Sequence, residues 1–224
     1  MFLQLPIKTL IFFLFASAIC LGQNDVEVIE TEDKPKITKT FYSYNFQYFI
    51  PQTFGDNALA KGTKGIGGIN LKLQLGIYKG FFVGGNLGAA YLEVTNPEIV
   101  GNYKKSTVTN NYLFFGYEYY VSERFKLGLS AAPFAKTTYK NKIFDASEGR
   151  QYDTGTFFNI EFYADYKLSK QLAVFVSYTY RKDKLNIVAP IEDQSQFNSS
   201  QFNHFGIGVK LCFGNFDIVS AFLK

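Results

Sequence analysis

The chain has 224 residues and a formal net charge of +4 at neutral pH, with 25 Phe and 16 Tyr but no Trp, and one His. That length suits one domain or two small ones, and a positive charge this mild and dispersed gives no basic arm for nucleic acid. No apolar run reaches the roughly 20 residues that a helical membrane span needs.

The N-terminus reads as a secretion signal. Met1 to Thr9 carries Lys8, and an apolar run follows from Leu10 to Leu21, with small residues placed for cleavage after Ala18 or Gly22. Gly22 is favoured, which makes residues 1–22 the signal peptide and Gln23 the first mature residue. Lipidation of Cys20 is disfavoured because Ile19, not a small residue, precedes it. Cys212 is then the only cysteine, so no internal disulfide forms. One His with one Cys does not supply a usual metal-ligand set, and no cofactor is expected. Residues 23–37 are acidic, with Asp25, Glu27, Glu30, Glu32 and Asp33 against Lys34 and Lys36. With Pro35 and no aromatic residue, this stretch reads as a flexible leader.

Beyond the leader the chain repeats one pattern, clearest in Ile69-Asn70-Leu71-Lys72-Leu73-Gln74-Leu75-Gly76-Ile77. Every odd position is a branched aliphatic. Side chains alternate across a strand, so the run has one apolar and one polar face, whereas a helix would scatter the same residues round its circumference. Eight such strands are predicted. The first spans 38–50, with Tyr42, Tyr44, Phe46, Tyr48 and Ile50 on one face, and ends at Pro51, which cannot donate to a ladder. The others span 67–78, 81–95, 107–121, 125–139, 153–168, 172–185 and 201–213. Pro133 falls within the fifth and predicts a bulge there.

The connections alternate long and short. Polar segments of ten residues or more around Gly55–Lys64, Asn96–Ser106, Asn141–Tyr152 and Asn186–Ser200 separate tight turns such as Lys79-Gly80 and Ser122-Glu123-Arg124. That asymmetry, with one apolar face common to all strands, predicts an all-β fold: an eight-stranded antiparallel up-and-down transmembrane β-barrel with long extracellular loops and short periplasmic turns. The rival is a soluble lipocalin-like ligand-binding barrel with its apolar face inward. The second face argues against it, being mostly Gly, Ala, Ser, Asn and Gln, which suits the crowded lumen of a small barrel better than a solvated exterior.

On this pattern, 38–213 resembles the small outer-membrane barrels of Gram-negative bacteria, the OmpA transmembrane-domain and OmpX type. Gly208-Val209-Lys210-Leu211-Cys212-Phe213 is similar to the insertion signal of such barrels, alternating and ending in an aromatic. The resemblance implies an outer-membrane location, with membrane lipid and the barrel-insertion machinery as partners. Residues 214–224 depart from it as a C-terminal tail, and there is no room for a peptidoglycan-binding domain.

Three sets of residues are candidates for chemistry. Lys72, Glu118, Lys126, Glu161, Asp165, Lys167, Arg181 and Lys210 fall on the polar face, and a mixed set of charges permits the pairing that burial demands. Lys72, Glu118, Lys126, Glu161, Asp165, Arg181 and Lys210 read as a structural lumen network, with the gate of a small pore or transport accessory as the alternative. His204, near the start of the last strand, is expected toward the extracellular rim with Asp153, the place for a rim enzyme. No serine sits in a G-x-S-x-G setting, and no catalysis is expected. Phe54, Phe144 and Phe197 are loop-contact candidates, since exposed aromatics favour interfaces. The resulting functional reading is a structural or surface-interaction barrel acting through its loops on an extracellular ligand or protein.

Overall fold

The computed structural model describes residues 40–143, 149–187, 189, 191–214 and 218–219. The expected signal peptide, the leader, Phe144 and most of the tail lie outside these residues. The chain forms β1 (Tyr42–Phe54), helix α1 (Ala58–Gly62), β2 (Thr63–Tyr78), β3 (Phe81–Val94), helix α2 (Pro97–Val100), β4 (Tyr103–Thr109), β5 (Tyr112–Tyr120), β6 (Phe125–Ile143), β7 (Arg150–Lys167), β8 (Leu172–Leu185), helix α3 (Gln194–Phe197) and β9 (Ser199–Phe213).

The nine segments make eight staves. Both β4 and β5 lie between β3 and β6, β4 at one end and β5 at the other. Every neighbour pairs antiparallel, and β1 pairs β9 from Tyr42↔Phe213 to Phe54↔Gln201, which closes the sheet into a barrel. Closure follows from the alternation: in hydrocarbon an open edge would leave backbone groups without partners. The faces are turned as the sequence predicts. Phe46, Ile69, Leu87, Leu113, Phe162 and Ile207 are exposed on the outside, while Asn45, Lys72, Asn86 and Lys210 are buried inside. The lipocalin-like alternative fails on this point, because its apolar face would have to line the lumen. Rings cluster near the short-turn end of the outer face, with Tyr42 stacked on Phe213 at 5.0 Å and Phe81 against Tyr117 at 4.9 Å. Amphipathic rings at that level suit a membrane–water boundary.

Three local expectations change. Pro51 does not end the first strand. It stays in β1 opposite His204, and because the ladder to β2 has already stopped at Phe49↔Gly68, the missing N–H has no partner to lose on that side. The predicted fourth strand starts earlier, at Tyr103, and is broken at Asn110 and Asn111. There the Asn86 amide donates to the Asn110 carbonyl, and Asn111 Oδ1 accepts from the Gly88 N–H at 3.2 Å, so side chains replace ladder bonds. The facing part of β6 contains the predicted bulge, between Ala132 and Ala135, which leaves Phe134 outside and 91% exposed. The first long connection is not all loop either: Asn57 caps α1, its Oδ1 accepting from the Ala60 N–H at 2.9 Å.

The interior is packed by fitting rings against glycines. A Cβ on Gly84 or Gly208 would collide with the Phe114 or Phe175 ring, and one on Gly128 would enter the ring of Tyr163. Alternating small and large inward residues fill small barrels in this way. Nearer the long-loop end, Phe49, Leu92, Val108, Tyr139 and Phe202 form an apolar plug inside the barrel.

An arginine on the lipid face of a barrel costs about 2–4 kcal/mol at the bilayer midplane. Leu71→Arg, at the middle of β2's outer face, is expected to lose that much unfolding free energy in urea titrations of the vesicle-embedded protein. Unchanged stability would mean that this face does not meet lipid.

Candidate functional site

The inward positions of the strands bring the lumen charges together in three separate groups. In the first, two lysines and two acids alternate. Lys126 donates to Glu118 at 2.7 Å and lies 3.4 Å from Asp165, while Lys210 bridges the same acids at 2.7 Å each. Gln74 and the Tyr163 hydroxyl also donate to Glu118, at 2.9 and 3.0 Å. Lys126 and Asp165 are register partners on β6 and β7, whereas Lys210 reaches in from β9. The second group is Lys72 with Glu161, an ion pair from β2 to β7 across the lumen. Lys167, the last residue of β7, is half-buried.

Arg181 stands apart from both. Its guanidinium takes Asp183 in a two-pronged contact, Nε to Oδ1 at 2.6 Å and Nη2 to Oδ2 at 2.7 Å, and it donates to Thr137 at 2.8 Å and to Asn110. It also lies over the Phe157 ring, 3.8 Å from the centroid. Tyr139 donates to Asp183 at 2.6 Å and shares a 2.9 Å hydrogen bond with Ser200. The inward alternation of Thr179 and Arg181 continues to Asp183, so the missed counter-ion had a sequence signal. Asn110 comes from the break between β4 and β5, and Thr137, Tyr139 and Ser200 from β6 and β9; nothing in the sequence paired them with Arg181 or Asp183.

Each group balances its charges internally, which is what burial away from water requires. Little space is left. A gap bordered by Lys72, Glu161, Asp165 and Lys210 has a volume of about 10 Å³, room for about one water. Between these groups, Gln47 donates to Ser177 at 2.6 Å and accepts from Asn70 at 2.7 Å.

His204 is not at the rim. It is buried in the lumen, stacked on Phe49 at 4.6 Å and next to Phe202 at 5.8 Å. Its register partners are Pro51 and Thr179. Asp153, by contrast, is engaged at the long-loop end by Asn141 and Gln151. The reason is β9's start at Ser199, which places His204 several residues inside the barrel.

At the long-loop end the interior opens into a cup with a volume of about 530 Å³. Its floor includes Tyr139 and Ser106, and its walls come from α1, α2, α3 and the ends of β4, β6 and β7. Tyr103 donates to Gln151 at 2.6 Å, Gln151 to Asp153 at 3.1 Å, and Asn141 to Asp153 at 2.6 Å, which fixes one wall. Burial, and after it the Asp153 carboxylate, raises the Tyr103 phenol above its ordinary range. Ser106 is only 5% exposed, and its hydroxyl has no partner among the described residues. Phe197, in α3, lines the cup; Phe54 does not, and as the last residue of β1 it leans on Tyr180 at 6.1 Å. Nothing in the sequence pointed to Ser106, because the cup is assembled from separate connections and strand ends.

No protein-family model matches the sequence, and no curated protein matches it. Solved structures do. The chain is similar to Neisserial surface protein A, with a TM-score of 0.51 at 10% identity over 78% of this chain and 98% of that one. It is also similar to OprG from Pseudomonas aeruginosa (TM-score 0.48, 13% identity, 80% and 99% covered) and to Ail of Yersinia pestis (0.47, 11%, 78% and 100%). The fold is that of the small outer-membrane β-barrels.

Removing one member of a buried charge group leaves its partner stranded, at about 3–5 kcal/mol. Lys72→Met is expected to lose stability on that scale in urea, and Lys72→Met with Glu161→Leu to recover most of it. A double variant as unstable as the two single losses combined would mean that the pair is not coupled.

Proposed function

We propose that the protein is a non-catalytic outer-membrane barrel whose work is done at its long-loop end, where the cup receives a polar extracellular ligand or a segment of a partner protein. The observation that carries this reading is the contrast between the two halves of the interior. The lumen is filled by neutralised charge groups and rings and leaves about 10 Å³, although Ser43, Asn45, Asn86 and Asp165 each keep one unpartnered atom there. The cup is open at about 530 Å³ and has on its lining the buried Ser106 hydroxyl, without a partner among the described residues. An unsatisfied buried hydroxyl costs free energy that a ligand's donor or acceptor recovers. Loops carried on a rigid scaffold are a usual place for recognition. A conducting pore is disfavoured by the packed lumen, and a histidine-based enzyme by the enclosure of His204 between Phe49 and Phe202.

On the same reading, residues 1–22 are a cleaved signal peptide, 23–37 a flexible acidic leader and 214–224 a tail after the barrel. The β9 alternation that ends in Phe213 suits recognition by insertion machinery. Lipid holds the outer face, and Phe54 and Phe197 remain aromatic contact candidates, with Phe144 a third candidate outside the described residues.

Two results test this. Cells displaying Ser106→Leu with Phe197→Ala should adhere about tenfold less to an immobilised glycan and peptide array, the effect of about 1.4 kcal/mol. The heat-shifted gel band of the folded barrel should not change, and planar-bilayer recordings of the wild type should stay silent. Undiminished adhesion, or discrete conductance steps, would overturn the reading. Separately, sequencing of the mature outer-membrane form is expected to begin at Gln23; a start at Met1 would remove the signal peptide.

A further inference from the structure

Above the apolar belt, the outer face of the barrel carries charge of one sign over half of its circumference. Lys105 on β4, Lys142 on β6 and Arg150 on β7 are register partners in one row across three strands. A second row runs from Lys136 on β6 through Thr156 to Lys184 on β8. Lys182 stands beside Phe158, where the apolar surface gives way to this band. All of these bases are exposed, and none forms an ion pair among the described residues.

The acids of the same strands are turned the other way. Asp153 of β7 faces the cup with Asn141 and Gln151, and Asp183 of β8 faces the lumen with Arg181. The band stops on one side at β3, where Glu93 stands in register between Lys64 and Lys105. On the other side it stops at β9 and β1, whose outward residues at this level are Gln201, Asn203 and Gln52. Like charges directly opposed across strands destabilise a sheet, and adjacent strands are about 4.8 Å apart. The row of Lys105, Lys142 and Arg150 is therefore held at a net cost unless an anion sits against it. They lie where a headgroup layer begins, just beyond Phe134 and Phe158.

We propose that the outward faces of β4, β6, β7 and β8 at the long-loop end bind phosphate-bearing lipid headgroups, gathering anionic lipid on one side of the barrel. Bases at a membrane surface attract anionic headgroups by about 1 kcal/mol each, and adjacent strands present them at a spacing that lets one phosphate touch two. The proposal needs the barrel to sit in a bilayer but does not depend on the cup or on what the cup binds.

The test uses the full chain refolded in phosphatidylcholine vesicles containing diphosphoryl lipid A, extracted in mild detergent and assayed for retained lipid A. Lys142→Gln with Arg150→Gln is compared with a charge-matched control at the opposite end, Arg124→Gln with Lys170→Gln, both folded by the gel heat shift. The expected result is a loss of retained lipid of about fivefold per charge removed for the first variant, and none for the control. Equal losses in both would reduce the effect to net charge, and no loss in either would leave the band without a lipid role; each overturns the proposal. Full displacement by millimolar inorganic phosphate would also overturn it, by making the band a site for free anions.

Discussion

The structure depends on one constraint: a backbone surrounded by hydrocarbon has no water to bond, so every N–H and C=O must find its partner inside the protein. Closure of β1 onto β9 over the whole length of β1 meets it. Where the wall departs from regular pairing, at Asn110 and Asn111, side chains of Asn86 and Asn111 take over the backbone groups. Where proline removes a donor, the chain bulges, as at Pro133, or the neighbouring ladder has already ended, as at Pro51. Irregularity is tolerated only with a local substitute for the missing bond.

Closure with only eight staves then creates a second problem. A barrel of this size has a lumen just wide enough for its own side chains, and alternation obliges half of each strand's residues to enter it. Polar side chains placed there lose water as completely as the backbone does. The solution is segregation into small groups that each balance their charge: Glu118, Asp165, Lys126 and Lys210; Lys72 and Glu161; Arg181 and Asp183. Rings over glycines take up the remaining volume. Such an interior is rigid because no member of a group can leave without stranding its partner.

That rigidity divides the molecule. The tube offers no space for a ligand, and open volume is left only where closure no longer constrains the chain. At the long-loop end the strands outrun the apolar belt, the three short helices fold over the mouth, and a cup opens above the apolar plug. On the outside of the same end, the exposed bases of β4, β6, β7 and β8 meet whatever lies just beyond the hydrocarbon. The inward turn of Asp153 and Asp183 serves both surfaces, supplying acids to the interior and leaving the exterior uniformly basic.

The sequence by itself determined the alternation, the number of staves and which face meets lipid, because a period of two is a local property that any stretch such as Ile69 to Ile77 displays. It also placed the lumen charges on one face and located the Pro133 bulge. What only the tertiary structure decided are the partnerships across the lumen and the depth of each residue. Lys210 meets Glu118 and Asp165, and Arg181 meets Asp183 rather than the larger group, because register and the tilt of the staves set which inward residues share a level. His204 read as a rim residue because strand ends are poorly marked in sequence; the start of β9 at Ser199 carries it into the lumen instead. The cup around Ser106 had no local signature at all, since its walls come from chain segments brought together only when the barrel closes.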